Sequence, residues 1–362
     1  MTGATNAVGV SAARQRVLQD ATVVAALTVA WLIATAWARP LMLPDEGRYV
    51  GVAWEMLRSG DWLTPTLNGL PYFHKPPLFY WITAASMSVF GPHPWAARAA
   101  PMLGACLGAL ALYAFARRWA SDRAARVTVL VLLVQPLFYL GGQFANLDML
   151  VAGCICATIL LLAHAALSAE RGLGFRAARE SAYALAALGV LAKGLIGAVL
   201  PAMVIVAWLV LRRRWPDLRA LVSWRGAVLF AVLACPWFVV MQWRFSDFLD
   251  YFFVVQHFKR FATSGFNNAQ PFWFYPVVLT VFSLPFVPWL RPAFGRGYFQ
   301  DPERGPVRLL MLAWIVVVVA LMLKIPATNV LKIDPSVSTE LRSRKTLSSP
   351  GKYPTSWNSW IP

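Results

Sequence analysis

Charge is what this sequence has least of. Only 14% of its 362 residues are Asp, Glu, Lys or Arg, against roughly 25% in soluble domains, while 59% are hydrophobic. That balance excludes an ordinary soluble fold and predicts an integral membrane protein. Acidic residues are scarcest, 16 against 33 Lys and Arg, for a net charge of +17. Such an excess can serve nucleic acid, but here the basic residues fall in short clusters between apolar runs, the pattern that sets membrane topology. No nucleic-acid partner is expected. Cysteine is also rare: Cys106, Cys154, Cys156 and Cys235 lie inside apolar runs without paired metal spacing, and are read as core residues. No small-residue cleavage site stands out, so Arg14 and Arg16 lead into an uncleaved first span from Ala21 to Ala38.

What the sequence has is runs of span length, about 20 residues, near 21–38, 97–116, 126–141, 147–167, 226–243, 272–290 and 307–323. They predict an all-α polytopic bundle. The run 181–211 is too long for one helix and is interrupted at Lys193-Gly194. A hairpin there, giving about nine spans, puts every arginine cluster on one side, which the positive-inside rule makes cytoplasmic. The other side then gathers the segment 39–95, the turn Asn146-Leu147-Asp148, the tip at Lys193 and the segment 244–271. Asp45, Glu46, Arg48, His74, Lys75, Asp148, Lys193, His257 and Arg260 thereby share one face, and ionisable groups at membrane ends are candidates for function.

The stretch "MLPDEGRYVGVAWEMLRSGDWLTPTLNGLPYFHKPPLFYW" carries five of these groups. Tyr49, Val52, Ala53, Met56 and Leu57 recur at helical spacing, predicting an interfacial amphipathic helix from Asp45 to Arg58, ended by Gly60. Asn68-Gly69 signals a tight turn. Pro76 and Pro77 hold Lys75 at a rigid junction before an apolar helix from Leu78 to Phe90, ended by Gly91-Pro92. Two readings stand for Asp45, a helix cap or a charge facing a ligand, and two for Lys75, a snorkelling lysine or a ligand contact. Asp148 reads as a helix cap by its position. Lys193, at the tip of a broken apolar hairpin, has few structural reasons to be there. Glu46, next to Asp45, faces elsewhere. His93 and His164 suggest local packing only.

"DEGRY", "MLRSGDWLTPTLNGLPYFHKPPLFYW", "FGPHPWAARAAP", "LAKGLIGAVLP" and "PWFVVMQWRFSDFLDYFFVVQHFKRF" resemble, in order and spacing over about residues 20–325, the bacterial aminoarabinose transferase (ArnT-like) branch of the GT-C glycosyltransferases, which is related to protein O-mannosyltransferases. The resemblance implies a GT-C helical bundle in the bacterial inner membrane. It also implies transfer of a sugar from a polyprenyl-phosphate donor to lipid A, a protein or another envelope glycan on the periplasmic face, with inversion expected for a single displacement. Asp45 becomes a base or acceptor-orienting carboxylate, and Asp148 a second acidic residue near the site. Arg48, Lys75, Lys193 and Arg260 become cations for the donor phosphate. His74 departs from the family pattern, which commonly has an acidic residue before "KPP". With His257 it is the candidate for a divalent metal, zinc suiting imidazole.

The expected organisation is a cytoplasmic tail 1–20, a glycosyltransferase domain 21–324 with periplasmic segments 39–95 and 244–271, and an atypical tail 325–362. That tail, rich in Ser, Thr, Pro and Lys, has no spanning run and reads as disordered, whereas relatives continue into further membrane helices. The alternatives are a truncated remnant that binds donor lipid without transfer, and a lipid-linked sugar transporter or flippase. The latter is disfavoured by charges at one face and by the lack of an internal repeat.

Overall fold

The computed structural model describes residues 2–324 except 43, 260–270, 272 and 296, with side chains described from residue 19 and not at 255–259, 323 or 324. The predicted tail 325–362 lies outside the described residues. The chain is helical almost throughout, in chain order α1 (Thr2–Ala36), α2 (Asp45–Ser59), α3 (Leu78–Phe90), α4 (Pro94–Ala97), α5 (Ala99–Trp119), α6 (Asp122–Val134), α7 (Pro136–Gly142), α8 (Leu147–Glu170), α9 (Arg176–Lys193), α10 (Ile196–Leu211), α11 (Leu218–Leu221), α12 (Trp224–Arg244), a π-wound α13 (Asp250–Lys259), α14 (Phe274–Ser283) running into the 3-10 segment Leu284–Phe294, and α15 (Gly305–Lys324). The only strands among the described residues are β1 (Thr66–Leu67) and β2 (Leu70–Pro71), an antiparallel hairpin.

Local chemistry sets these boundaries as the sequence predicts. Gly60 ends α2 with φ +71°, and its N–H donates to the Met56 carbonyl at 3.1 Å. Asn68 and Gly69 both have positive φ, the requirement of a tight two-residue hairpin turn. The Glu55 carboxylate accepts the N–H groups of both turn residues. Gly194, at φ +97°, lets the chain reverse directly after Lys193, so the hairpin in the run 181–211 exists.

Among the described residues six helices are long and apolar enough to cross a membrane, or seven if the bent pair α6 and α7 counts as one span. This is fewer than the nine expected. Pro136 breaks the run 126–141 into two helices bent by 67°, because proline cannot donate to the preceding turn. The hairpin helices α9 and α10 have only 18 and 16 residues, and the first turn of α9 is polar. Cys235 is exposed, a correction to its reading as core; Cys154 and Cys156 are buried.

α8 is the central helix, with 78% of its most apolar window buried, packed between α5 and α9. Ion pairs join the helix ends in two separate groups. At one end Arg117 pairs with Asp20, Arg212 with Glu170, and Arg179 with Glu180, tying α1 to α5, α8 to α10, and holding the start of α9. At the other, Lys193 meets Asp148, and Arg244 meets Asp61. Arg117, Arg179 and Arg212, from three of the predicted arginine clusters, therefore lie at one end of the bundle.

Glycine sets how closely these helices approach. A Cβ on Gly153 would stand 2.1 Å from the Gly104 carbonyl oxygen, and one on Gly197 2.2 Å from the Gly189 carbonyl carbon. Small residues at such crossings let helix backbones touch in a bilayer. Gly153→Ala is expected to force α5 and α8 apart and cost about 1–3 kcal/mol, the range for overpacking. Thermal unfolding in detergent should show the loss, with Gly174→Ala, where the Cβ meets nothing and the backbone is not left-handed, as the comparison for glycine replacement outside a helix contact.

Candidate active site

The end opposite the arginine clusters is organised around Glu46. Its side chain is fully buried, as is that of Arg98, whose Nε and Nη2 donate to its two oxygens at 3.0 and 3.2 Å. Arg39 also donates to both oxygens, and the backbone N–H groups of Met42 and Ala145 each donate at 2.8 Å. Arg98 donates onward to the carbonyls of Ala36, Arg39 and Pro40, and Arg39 to that of Gln143 at 2.6 Å. One carboxylate thus joins the end of α1, the following loop, the start of α2, the start of α5 and the loop before α8. Burial alone would raise its pKa, but the bonds from Arg98, Arg39, Ala145 and Met42 outweigh that and bring it down to about 2. Glu46 does face away from Asp45, as expected; its role as a hub is not visible in the sequence.

Around this hub stand two partly exposed ion pairs. Asp45 is the first residue of α2, makes no side-chain cap, and pairs with Arg48. Asp148 pairs with Lys193. The capping role read for Asp148 belongs to Asn146, whose Oδ1 accepts the Asp148 N–H at 3.0 Å while its Nδ2 donates to the Asp148 carboxylate at 3.0 Å. The carboxyls of Asp45 and Asp148 are 50% and 59% exposed, so both are open to a ligand. Tyr49 lies within the field of both pairs. Its hydroxyl pKa rises through burial and the carboxylates of Asp148 and Asp45, against the opposing pull of Arg48. Tyr72 is pushed up to about 12 by burial, again with Arg48 opposing. Both phenols are therefore neutral hydrogen-bonding groups near neutral pH.

His74 and Lys75 sit at the junction between β2 and α3, and both engage neighbouring protein groups. His74 lies against Tyr72, ring centroids 4.5 Å apart, and against Tyr251 of α13 at 6.0 Å. Phe73 packs against Phe245 and Phe248. Trp237 and Trp81 donate to the carbonyls of Leu63 and Trp62 at 2.9 and 2.6 Å. These contacts bring the segment 39–95 onto α12 and α13, as the topology requires. Arg260 and the side chain of His257 lie outside the described residues. A structural zinc site takes four ligands; among the described residues no three His, Cys, Asp or Glu side chains assemble to hold a metal ion, and His74 has aromatic neighbours. The described residues do not form a metal centre.

Structure and sequence comparisons agree on the class. The fold matches the crystal structure of ArnT from Cupriavidus metallidurans bound to undecaprenyl phosphate, with TM-score 0.71 and 27% identity, covering 90% of this chain and 63% of that one. The apo form of the same protein matches with TM-score 0.66. A sequence model for dolichyl-phosphate-mannose-protein mannosyltransferase matches residues 74–240. The undecaprenyl phosphate-alpha-4-amino-4-deoxy-L-arabinose arabinosyl transferases of Aeromonas salmonicida and Pseudomonas aeruginosa are 34% and 33% identical over 280 and 288 residues, each match covering 77% of this chain. The chain spans about half the length of these curated relatives. It is an all-α polytopic membrane protein with the GT-C bundle. Within that class it is homologous to the ArnT-like aminoarabinose transferases, the branch its motifs resemble.

Glu46 titrates with a defined sign. Its carboxyl is held well below the ordinary 4.5, so its stabilising contribution is complete above about pH 4.5 and is lost as the pH falls toward 2. Glu46→Gln, which leaves the buried Arg98 and the half-buried Arg39 without their counter-charge, should cost about 3–5 kcal/mol. Thermal unfolding between about pH 6 and pH 3 should fall more steeply in the wild type than in Glu46→Gln.

Proposed function

We propose that the chain is a glycosyltransferase of the bacterial inner membrane, moving a sugar from a polyprenyl-phosphate donor to lipid A or another envelope acceptor at the periplasmic face. The sugar would be an aminoarabinose-like pentose or a hexose. The observation carrying this reading is the placement of the pairs Asp45–Arg48 and Asp148–Lys193 at one end of an apolar bundle, with Tyr49 in the field of both. A polyprenyl tail needs the bilayer, and its phosphate and sugar need cations and hydrogen-bonding groups at the interface. Exposed ion pairs add little stability, which supports a role in binding over one in folding. The named donor of the relatives, undecaprenyl phosphate linked to an amino sugar, has this chemistry. On this reading residues 21–324 form the transferase domain. The arginine-rich end and the N-terminus then face the cytoplasm, by the positive-inside rule.

In the reaction an acceptor oxygen attacks the anomeric carbon, the bond from that carbon to the phosphate oxygen breaks, and its electron pair leaves with the lipid phosphate. Configuration inverts. Arg48, Lys75, Lys193 and Arg260 stabilise charge growing on the phosphate. Asp45 takes the proton of a hydroxyl acceptor, or orients an acceptor that is already an ionised phosphate. Asp148 holds Lys193 until the donor phosphate competes for it.

Two experiments test this reading. In proteoliposomes with a polyprenyl-phosphate sugar and lipid A, Asp45→Asn and Lys193→Ala should each lower transfer by about a hundredfold or more while unfolding at the wild-type temperature. Asp45→Asn has no capping bond to lose, so near-normal transfer would remove Asp45 from the mechanism. Donor binding by the wild type without any transfer would overturn the transferase reading. For topology, a single cysteine at Leu63 should react with an impermeant reagent from the periplasm, and one at Arg213 only after permeabilisation.

A further inference from the structure

We propose that the arginine-rich end carries a headgroup site for an anionic glycerophospholipid, formed by Arg118, Arg171 and His164 around Trp119. Trp119 closes the span Ala99–Trp119, and Arg171 follows the end of the span Leu147–Glu170, so both stand at the depth of the headgroup phosphates. The Trp119 ring is buried, 6% exposed, and the guanidiniums of Arg118 and Arg171 lie 4.7 and 4.8 Å from its centroid. They arrive from the ends of different helices. Trp119 Nε1–H donates to His164 Nδ1 at 3.0 Å; the neutral imidazole therefore carries its proton on Nε2 and offers a donor there. The assembly holds three donors and no acceptor.

Neighbouring guanidiniums at this end are met by carboxylates: Arg117 by Asp20 and Asp122, Arg212 by Glu170. Arg118 and Arg171 have no such partner among the described residues. Two like charges held against one ring repel each other, and a phosphate near both relieves that repulsion while completing their hydrogen bonds. Tryptophan at a span end favours the headgroup layer, which selects a lipid phosphate over a free one. The site lies at the end of the bundle opposite the proposed transfer site and does not depend on that reading.

The test is a titration of the purified chain, in neutral detergent, with short-chain phosphatidylglycerol, read by native mass spectrometry. Arg118→Gln/Arg171→Gln is expected to weaken binding by about tenfold or more, given what each juxtamembrane arginine contributes toward anionic lipid. Arg123→Gln/Arg126→Gln removes the same charge at the same end and is expected to leave binding unchanged. Equal weakening in both pairs would overturn the site in favour of diffuse charge. So would equal binding of phosphatidylcholine by the wild type, and full competition by inorganic phosphate would make it a free-anion site instead. If the glutamine pair fails to fold, Arg118→Lys/Arg171→Lys carries the test. Lysine keeps the charge and loses the planar fork, so affinity should fall severalfold, and unchanged affinity would overturn the proposal.

Discussion

The site end of this protein depends on one buried carboxylate. Glu46 accepts bonds from two guanidiniums and two backbone N–H groups, which come from three stretches of chain: the loop holding Arg39 and Met42, the start of α5 at Arg98, and the loop at Ala145. A charge in such a place is tolerable only when every lone pair is used, so the network forms whole or not at all. Its geometric effect reaches the neighbouring ion pairs. Asp45 is the residue beside Glu46 on α2, and Asp148 follows Ala145 by three positions, so fixing Glu46 against Ala145 fixes two carboxylates from distant parts of the sequence relative to each other. Rigidity of this kind is what a site needs when it works by prepositioned charge.

Much of this was legible in the sequence. The hairpin at Lys193 followed from the length of the run 181–211, its interruption at Lys193-Gly194 and the placement of charge, because a single helix would have scattered the arginines over both sides. Gly60, Asn68-Gly69 and Gly91 marked ends and turns through backbone conformations that few other residues adopt. What escaped was long-range pairing. Arg98 sits at the mouth of an apolar run, 52 positions from Glu46, and no local pattern links them; the one available signal was an arginine adjoining a span with no basic neighbour. The break at Pro136 could have been read from proline inside a helical run. The choice between Asn146 and Asp148 as the cap depends on an offset of two residues, which sequence patterns resolve poorly.

The two ends of the bundle treat charge in opposite ways. At the arginine-rich end, carboxylates such as Glu170 and Asp20 clamp helix termini together, and the surplus of cations is left facing outward. At the other end the surplus is drawn inward and neutralised: Arg39 and Arg98 are spent on Glu46, and the half-buried cations Arg48 and Lys193 each carry an acidic partner. An anionic ligand arriving there must displace a carboxylate, whereas one arriving at the arginine-rich end meets unopposed charge.

The glycine contacts have a directional consequence. Gly104 and Gly153 lie shortly after the starts of α5 and α8, and Gly189 and Gly197 flank the tip of the α9–α10 hairpin, so all four belong to the half of the bundle beneath the ion pairs. There the floor under Asp148 and Lys193 is main chain pressed on main chain. Such a floor has no rotamers to change, so adapting the proposed site to a different ligand falls to side chains outside it, such as those of 39–95 that pack against the end of α12 and α13.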